Sequence, residues 1–148
     1  MSQPAQIDRR GHRFAGVLTT FVLAAAVLTV EPLRPVALAL VGFQLVVFAI
    51  GGFYRLTASP YARLYARAVR PRIGPPREWE DAAAPAFSQV VGTAFAAVAL
   101  AGLVTGVTPV AYIALSLALL AALLNASTGL CLGCELYLAL QRLQASKA

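Results

Sequence analysis

Long stretches without charge are the feature that most constrains how this chain can fold. Residues 82–134 contain no Asp, Glu, Lys or Arg over 53 positions, and similar stretches cover residues 14–30 and 35–54. A helix needs roughly 20 mostly apolar residues to cross the hydrocarbon core of a bilayer. The two shorter stretches can each supply one such helix. The long stretch can supply two, because Gly106 and Pro109 interrupt it within the sequence TGVTP.

The composition agrees with a protein whose main solvent is lipid. Hydrophobic residues make up 59% of the chain and charged residues 12%, whereas soluble domains are about 25% charged. We therefore predict an all-α membrane protein that forms a single domain over residues 1–148. A cleaved signal peptide is a less favoured interpretation of the first stretch, because no clear small-x-small cleavage site follows it. The four transmembrane helices are predicted at residues 14–31, 35–54, 85–105 and 109–130.

The basic residues predict how these helices are oriented. Eleven of the twelve Lys and Arg residues fall in the amino-terminal tail, the central loop or the carboxy-terminal tail, and only Arg34 falls on the other side. By the positive-inside rule, both termini and the central loop are expected in the cytoplasm, with the protein in the inner (cytoplasmic) membrane. The arginines can contact anionic lipid headgroups of that bilayer. The net charge of +6 therefore needs no nucleic-acid partner, and the chain carries no nucleic-acid-binding motif.

The central loop contains a predicted amphipathic interfacial helix at residues 60–70. Ser59 is a favourable N-cap, and Pro60 suits the first helical position. Tyr61 and Tyr65 belong to an apolar set that recurs at helical spacing, so this face is expected in the acyl boundary of the membrane. The opposite face would point towards phosphates or a soluble partner, and it carries Arg63, Arg67 and Arg70.

The only two cysteines form a Cys-x-x-Cys pair, Cys131 and Cys134, where the fourth helix is expected to reach the cytoplasm. In a reducing compartment a permanent structural disulfide is not expected, and such a pair is more often catalytic, redox-sensing or metal-binding. The preceding sequence NASTG favours a helix break, and a helical extension is predicted at residues 131–145. Its first turn would hold Cys131, whose thiolate the helix dipole stabilises, with Cys134 one turn further on. If the fourth helix continues unbroken instead, burial would raise the pKa of both thiols.

Two alternatives to thiol chemistry stay open. The cysteines can serve only in packing, because Gly129 and Gly133 are spaced to form a helix-contact face. A zinc or iron–sulfur site needs about four ligands, and the chain offers two cysteines and the sequence-distant His12. Metal binding would therefore require a dimer. We predict no metal and no cofactor, and we expect His12 to be an interfacial side chain rather than a general base.

Several other polar residues are weaker candidates for function. Gln44, inside the second helix, is expected to hydrogen-bond to a neighbouring helix, with a substrate contact as the alternative. Glu78, Glu80 and Asp81 are expected to pair with loop arginines, and Trp79 to lie at the headgroup level. Apart from Glu31 at the very end of the first one, no charged residue lies in a predicted transmembrane helix, which argues against ion-coupled transport. The candidates for contact with a substrate or partner are Gln89, Asn125 and Tyr137.

Three segments together resemble one known family. They are IDRRGHRFAG, SPYARLYARAVRPRIGPPREWEDAAAPAFSQVVG and GLCLGCELY. On these segments the chain resembles the domain of unknown function 4395 family of small bacterial membrane proteins, over nearly its whole length. At the start of the third helix the family typically shows Pro-x-Arg-Phe-Ala-Gln, whereas this chain has Ala86 in place of the arginine. The carboxy-terminal motif matches at Gly129, Cys131, Gly133, Cys134 and Tyr137.

The resemblance names no activity, but it implies an association with sulfur metabolism. Similar proteins occur beside rhodanese-type sulfurtransferases and thioredoxin-like proteins. If the arginine replaced by Ala86 belonged to a ligand site in the family, that site is altered in this chain.

Three functions are compatible with the sequence. In the first, a cytoplasm-facing dithiol relays electrons or sulfane sulfur, with Cys131 as the attacking thiolate and Cys134 as the resolving thiol. A rhodanese-type sulfurtransferase or thioredoxin-like protein would dock on the basic loop. In the second, the protein is a non-enzymatic scaffold or anchor for such a partner. In the third, it is a small carrier for a sulfur species, which would require a homo-oligomer. Whether the protein is an enzyme stays open.

Overall fold

The computed structural model describes residues 5–148, which are mostly helical. Within that range, four helices are long and apolar enough to cross a membrane, so the predicted all-α protein with four transmembrane helices is confirmed. In chain order the α-helices are α1 (Arg9–Thr29), α2 (Arg34–Ala49), α3 (Pro60–Leu64), α4 (Arg70–Ile73), α5 (Ala83–Thr105), α6 (Thr108–Thr128) and α7 (Leu132–Ser146). The transmembrane helices are α1, α2 with its π-helical extension Ile50–Tyr54, α5 and α6.

The four transmembrane helices pack as a bundle in which α1 and α5 each contact both α2 and α6. The core between them contains fully buried small residues from every one of the four helices, which let the backbones approach closely. Helices in lipid associate through such contacts, because the lipid tails are as apolar as the helix surfaces. The small core residues are Ala26, Ala37, Ala99 and Ala111.

Short turns join α1 to α2 and α5 to α6, so consecutive helices run in opposite directions. At these turns the guanidinium of Arg34 donates a hydrogen bond to the backbone oxygen of Leu103, near the carboxyl end of α5. A cation is favourable there because the helix dipole places partial negative charge at that end. At the opposite end of the bundle lie the start of α1, the end of α2, the start of α5 and the end of α6. We call it the loop end.

A short antiparallel ribbon at the loop end joins the amino-terminal tail to the segment before α5. Gln6–Asp8 (β1) pairs with Trp79–Asp81 (β2), and Ile7 lies opposite Glu80. Three-residue strands are too short to leave a periodic signal, so the sequence did not predict this ribbon. Beside it, Arg9 donates to Glu78 at 3.1 Å. Glu78 therefore pairs with the amino-terminal tail, and the expectation that it pairs with a loop arginine is wrong.

The predicted loop helix is amphipathic, but its tyrosines point into the protein. It consists of α3, a π-helical turn at Tyr65–Val69, and α4. The Tyr61 hydroxyl donates to Gln44 Oε1 at 2.8 Å, and Gln44 Nε2 lies 3.4 Å from Thr19 Oγ1. Burial raises the pKa of Tyr61 to about 12, so the hydroxyl stays protonated and can donate. The expectation that this face lies in the acyl boundary is wrong, because helical spacing identifies an apolar face without identifying what covers it.

Asp8 makes a second connection between the loop helix and the bundle. Its carboxylate caps α1 by accepting from the backbone N–H of Arg10 at 3.0 Å, and it also accepts from the Tyr65 hydroxyl at 2.8 Å. Burial raises the pKa of Asp8, but hydrogen bonds from Arg10 and Tyr65 outweigh it and hold the pKa below its ordinary value. This cap also explains why α1 begins at Arg9, five residues before the predicted start.

The buried hydrogen bond between Tyr61 and Gln44 gives a stability prediction. Tyr61→Phe keeps the ring but leaves the buried Gln44 Oε1 without its donor, and an unpaired buried acceptor costs about 1–3 kcal/mol. We expect a lower midpoint of thermal unfolding in detergent micelles, followed by circular dichroism. Tyr54→Phe, at an exposed tyrosine, is the matched control. Equal midpoints for the two variants would show that the hydrogen bond does not stabilise the fold.

Candidate functional site

A helix break places the two cysteines at the loop end. The break predicted within NASTG occurs where α6 ends at Thr128, and Gly129 adopts a left-handed φ of 77°. Glycine suits this position because it has no Cβ to clash in that conformation. The following helix, α7, begins at Leu132 with Cys131 as its N-cap, so Cys131 lies just before the first turn rather than within it.

Cys131 and Cys134 form a disulfide, with their Cα atoms 5.1 Å apart. The Cys131 sulfur also accepts a hydrogen bond from the backbone N–H of Cys134 at 3.2 Å. Both residues are largely buried, with 9% of Cys131 and 6% of Cys134 exposed. A permanent disulfide was not predicted from the sequence, whereas the two sulfurs are bonded in this structure.

His12 lies beside this disulfide, although it comes 119 positions before Cys131 in the sequence. One of its ring nitrogens and the two sulfurs all lie within 4.8 Å of one another. This contact could not be predicted from the sequence, because only the packing of α1 against α6 brings the first turn of α1 to the end of α6. A reduced pair would offer two thiolates beside an imidazole, three of the four ligands that zinc takes. In the disulfide the sulfurs offer no thiolate, so the observed state does not present that ligand set.

Asn125 joins His12 next to the sulfurs. Its Nδ2 lies 3.4 Å from His12 Nε2, and only 8% of the residue is exposed. Its Oδ1 is buried and has no hydrogen-bond partner among residues 5–148. Gly16 makes room for the amide, because a Cβ on Gly16 would lie 2.7 Å from Asn125 Nδ2. The weak sequence candidate Asn125 is therefore brought to the cysteines by the fold.

Two cavities meet at the cysteines. The outer cavity, about 640 Å³, reaches both cysteines and has a charged rim. The inner cavity, about 320 Å³, extends from Cys131 between α1, α5 and α6 and is largely apolar. Cys131, His12 and Asn125 line both cavities. The charged residues of the outer rim are Arg9, Arg13, Glu78, Glu80 and Glu135.

Glu80 is a second residue whose position the sequence could not reveal. The pairing of β1 with β2 holds it in the outer cavity, where its Oε2 is buried without a hydrogen-bond partner among the described residues. Burial raises the pKa of Glu80, and the positive charge of Arg9 offsets only part of that rise. A carboxyl group with a raised pKa is suited to supply or accept a proton beside a reacting sulfur.

Comparison with known protein families matches residues 7–142 to the family described as Domain of unknown function (DUF4395). The chain belongs to this family. The match covers nearly all of the chain and confirms the resemblance seen in the sequence. Comparisons with curated proteins and with solved structures return no match.

The remaining candidates of this DUF4395 protein are spread around the site. Gln89 lines the inner cavity on α5. Tyr137 packs on Phe87 with ring centroids 5.5 Å apart, so it holds α7 against α5. Ala86, where the family shows arginine, lies in the first turn of α5 and lines neither cavity beside the cysteines. The loop arginines are exposed and border other grooves, which do not include the cysteines: Arg63, Arg67 and Arg70.

The raised pKa of Glu80 predicts how stability depends on pH. Glu80 keeps its proton up to a higher pH in the folded protein than in the unfolded chain, where its pKa is near 4.5. The contribution of neutral Glu80 to the stability of the fold is therefore complete below pH 4.5. It is lost as the pH rises through the pKa that Glu80 has in the folded protein. Glu80→Gln keeps the side chain neutral and should reduce the fall in unfolding midpoint between pH 5 and pH 8. Glu78→Gln, at the exposed partner of Arg9, is the control. An unchanged pH profile in Glu80→Gln would contradict the assignment.

Proposed function

We propose that this DUF4395 protein is a membrane thiol–disulfide exchange protein whose Cys131–Cys134 pair cycles between a disulfide and a dithiol. The observation that carries the proposal is the bonded pair at the amino end of α7, facing a charged cavity. Packing alone needs no bond between the sulfurs. A sulfane-sulfur relay needs a free Cys131 thiolate to accept the sulfur, so the disulfide favours electron transfer over that alternative.

Cys131 is the sulfur that we expect the partner to attack. The N-cap position gives its thiolate a hydrogen bond from the backbone N–H of Cys134, together with the positive end of the α7 dipole. A thiolate stabilised in this way also leaves readily when a mixed disulfide is resolved. Cys134 lies one turn into the helix and is the more buried of the two, so it is less accessible to a partner and is the thiol that leaves when Cys131 is attacked.

The exchange proceeds in two balanced steps. A partner thiolate attacks the Cys131 sulfur, the bond between Cys131 and Cys134 breaks, and Cys134 leaves as a thiolate that takes up a proton. The second partner thiolate then attacks the partner sulfur of the mixed disulfide and releases the Cys131 thiolate. The partner is oxidised by two electrons, and the pair is reduced by two. His12, beside the sulfurs, and Glu80, which lines the same outer cavity, are the groups that we expect to move these protons.

We further propose that the cysteines face the cytoplasm and meet a soluble, thioredoxin-like or rhodanese-type partner there. The segments at the loop end carry eleven of the twelve basic residues, and the positive-inside rule favours such an end in the cytoplasm. Arg9 and Arg13 on the outer rim, with the exposed arginines of the loop helix, give this end a positive charge. Such a surface speeds encounter with an acidic partner.

Thiol reactivity tests the proposed function. In Cys134→Ser, alkylation of Cys131 by a membrane-impermeant reagent should proceed well below pH 8.5, the ordinary pKa of a thiol. The reason is the stabilised thiolate at the N-cap. The measurement is the pH dependence of alkylation in inverted membrane vesicles, read by mass spectrometry, and Cys131→Ser is the control that reports Cys134 alone.

Three outcomes are informative. Fast labelling of Cys131 at low pH, together with slow labelling of Cys134, supports thiol–disulfide exchange. Labelling that is slow and equal for both thiols, or that needs denaturation, means that the cysteines only pack, which is the scaffold alternative. A stable adduct of one sulfur atom on Cys131 in the untreated protein would favour sulfane-sulfur relay instead.

A further inference from the structure

The inner cavity extends from the disulfide into the membrane-spanning part of the bundle. Most of its lining is apolar. Its polar side chains are His12, Ser88, Gln89 and Asn125 towards the cysteine end, and Thr19 deeper in the bundle. Phe95, at its far end, is about 18 Å along α5 from Ala83. The cavity therefore reaches roughly half-way along the transmembrane helix. Its volume of about 320 Å³ falls within the range of sites for small molecules, about 300–1,000 Å³.

An apolar groove on the lipid-facing surface adjoins this cavity. The groove, about 270 Å³, lies between α5 and α6 and shares Phe95 and Leu117 with the inner cavity. Val98 and Ile113, which also line it, are exposed on the outside of the bundle. A molecule dissolved in the bilayer therefore meets a mostly apolar surface in the groove and in the neighbouring cavity beside the disulfide.

The unpaired Asn125 oxygen marks the polar end of this path. Asn125 is more than nine-tenths buried and lines the inner cavity, and its Oδ1 accepts no hydrogen bond from the residues that the structure describes. Leaving a buried acceptor unpaired costs about 1–3 kcal/mol. Because this oxygen is covered in the structure, a ligand hydroxyl group at this end of the cavity would remove that cost after a rotation of the Asn125 amide.

We propose that the inner cavity binds a membrane quinone, which reoxidises the Cys131–Cys134 dithiol. This inference rests on the proposed thiol–disulfide function and names its electron acceptor. The quinone ring would lie beside Cys131 and Asn125, and its isoprenoid tail would follow the groove between α5 and α6. The hydroquinone product carries the hydroxyl group that the Asn125 oxygen lacks.

The electron balance selects a quinone among bilayer molecules. Exchange with a soluble dithiol leaves Cys131 and Cys134 reduced, so each further cycle needs a two-electron acceptor. In the reoxidation, the two S–H bonds break and the S–S bond forms. The quinone takes up the two electrons and two protons and leaves as hydroquinone. A phospholipid acyl chain fits the same apolar lining, but it accepts no electrons and brings no hydroxyl group to Asn125.

Anaerobic reoxidation of the purified protein tests the proposal. The protein is reduced with dithiothreitol, freed of reductant and mixed with a short-tail ubiquinone or menaquinone analogue. We expect one quinone to be reduced for each dithiol lost, measured by quinone absorbance and by thiol titration. Excluding oxygen ensures that the added quinone is the only oxidant.

Filling the cavity provides the matched comparison. Ala121 lies on α6 one turn before Asn125 and lines the inner cavity, whereas its neighbour Leu120 is exposed on the lipid-facing side. Ala121→Phe should slow quinone reduction by about tenfold or more, because the ring would occupy the site, and Ala121→Leu should give a smaller loss. Leu120→Phe adds a ring outside the cavity and should react at close to the wild-type rate. Reduction of the disulfide by dithiothreitol is measured for every variant. The rates of quinone reduction are then compared only among variants whose disulfide dithiothreitol still reduces.

The outcomes separate this inference from the proposed function. If dithiothreitol reduces the disulfide but no quinone reoxidises it, the quinone proposal is overturned and thiol–disulfide exchange stands. If Ala121→Phe reacts at the wild-type rate, the inner cavity is not the quinone site, and the proposal is likewise overturned. If the disulfide resists dithiothreitol in the folded protein, the proposed function itself fails.

Discussion

The packing of α1 against α6 is the contact on which the site depends. It brings His12, near the start of the chain, to Asn125 and to the cysteines at the end of α6. Gly16 makes the approach close enough, since a Cβ at that position would collide with the Asn125 amide. Arg13 strengthens the same contact by donating to the backbone oxygens of Ala126 and Ser127, where α6 ends and its carbonyls lack helical partners.

Polar contacts then attach the loop end to the bundle. The Tyr61 hydroxyl reaches Gln44 in α2, and the Tyr65 hydroxyl reaches Asp8 at the start of α1. Inside a membrane protein such hydrogen bonds are retained because water is scarce as an alternative partner. They fix the loop helix on the bundle, while the ribbon between β1 and β2 holds Glu80 in the outer cavity.

The disulfide therefore lies between two different environments. On one side is a cavity with a charged rim, and on the other is a largely apolar cavity that adjoins a groove on the lipid-facing surface. If the pair exchanges electrons as we propose, this position would let it meet one partner in water and another in lipid. The α7 N-cap gives Cys131, which lines both cavities, the electrostatic environment that thiolate chemistry needs.

The sequence by itself determined the four transmembrane helices, the helix break before the cysteines and the family. Each of these follows from local signals: apolar length, turn residues such as Gly129, and a contiguous motif. Tertiary structure alone decided that the tyrosines of the loop helix point inward, that His12 lies beside the cysteines, and that Asn125 and Glu80 line the same outer cavity. Hydrophobic periodicity records which face of a helix is apolar, but not which helix covers it. Contacts between residues more than 100 positions apart depend on how the whole bundle packs, and no local pattern contains that information.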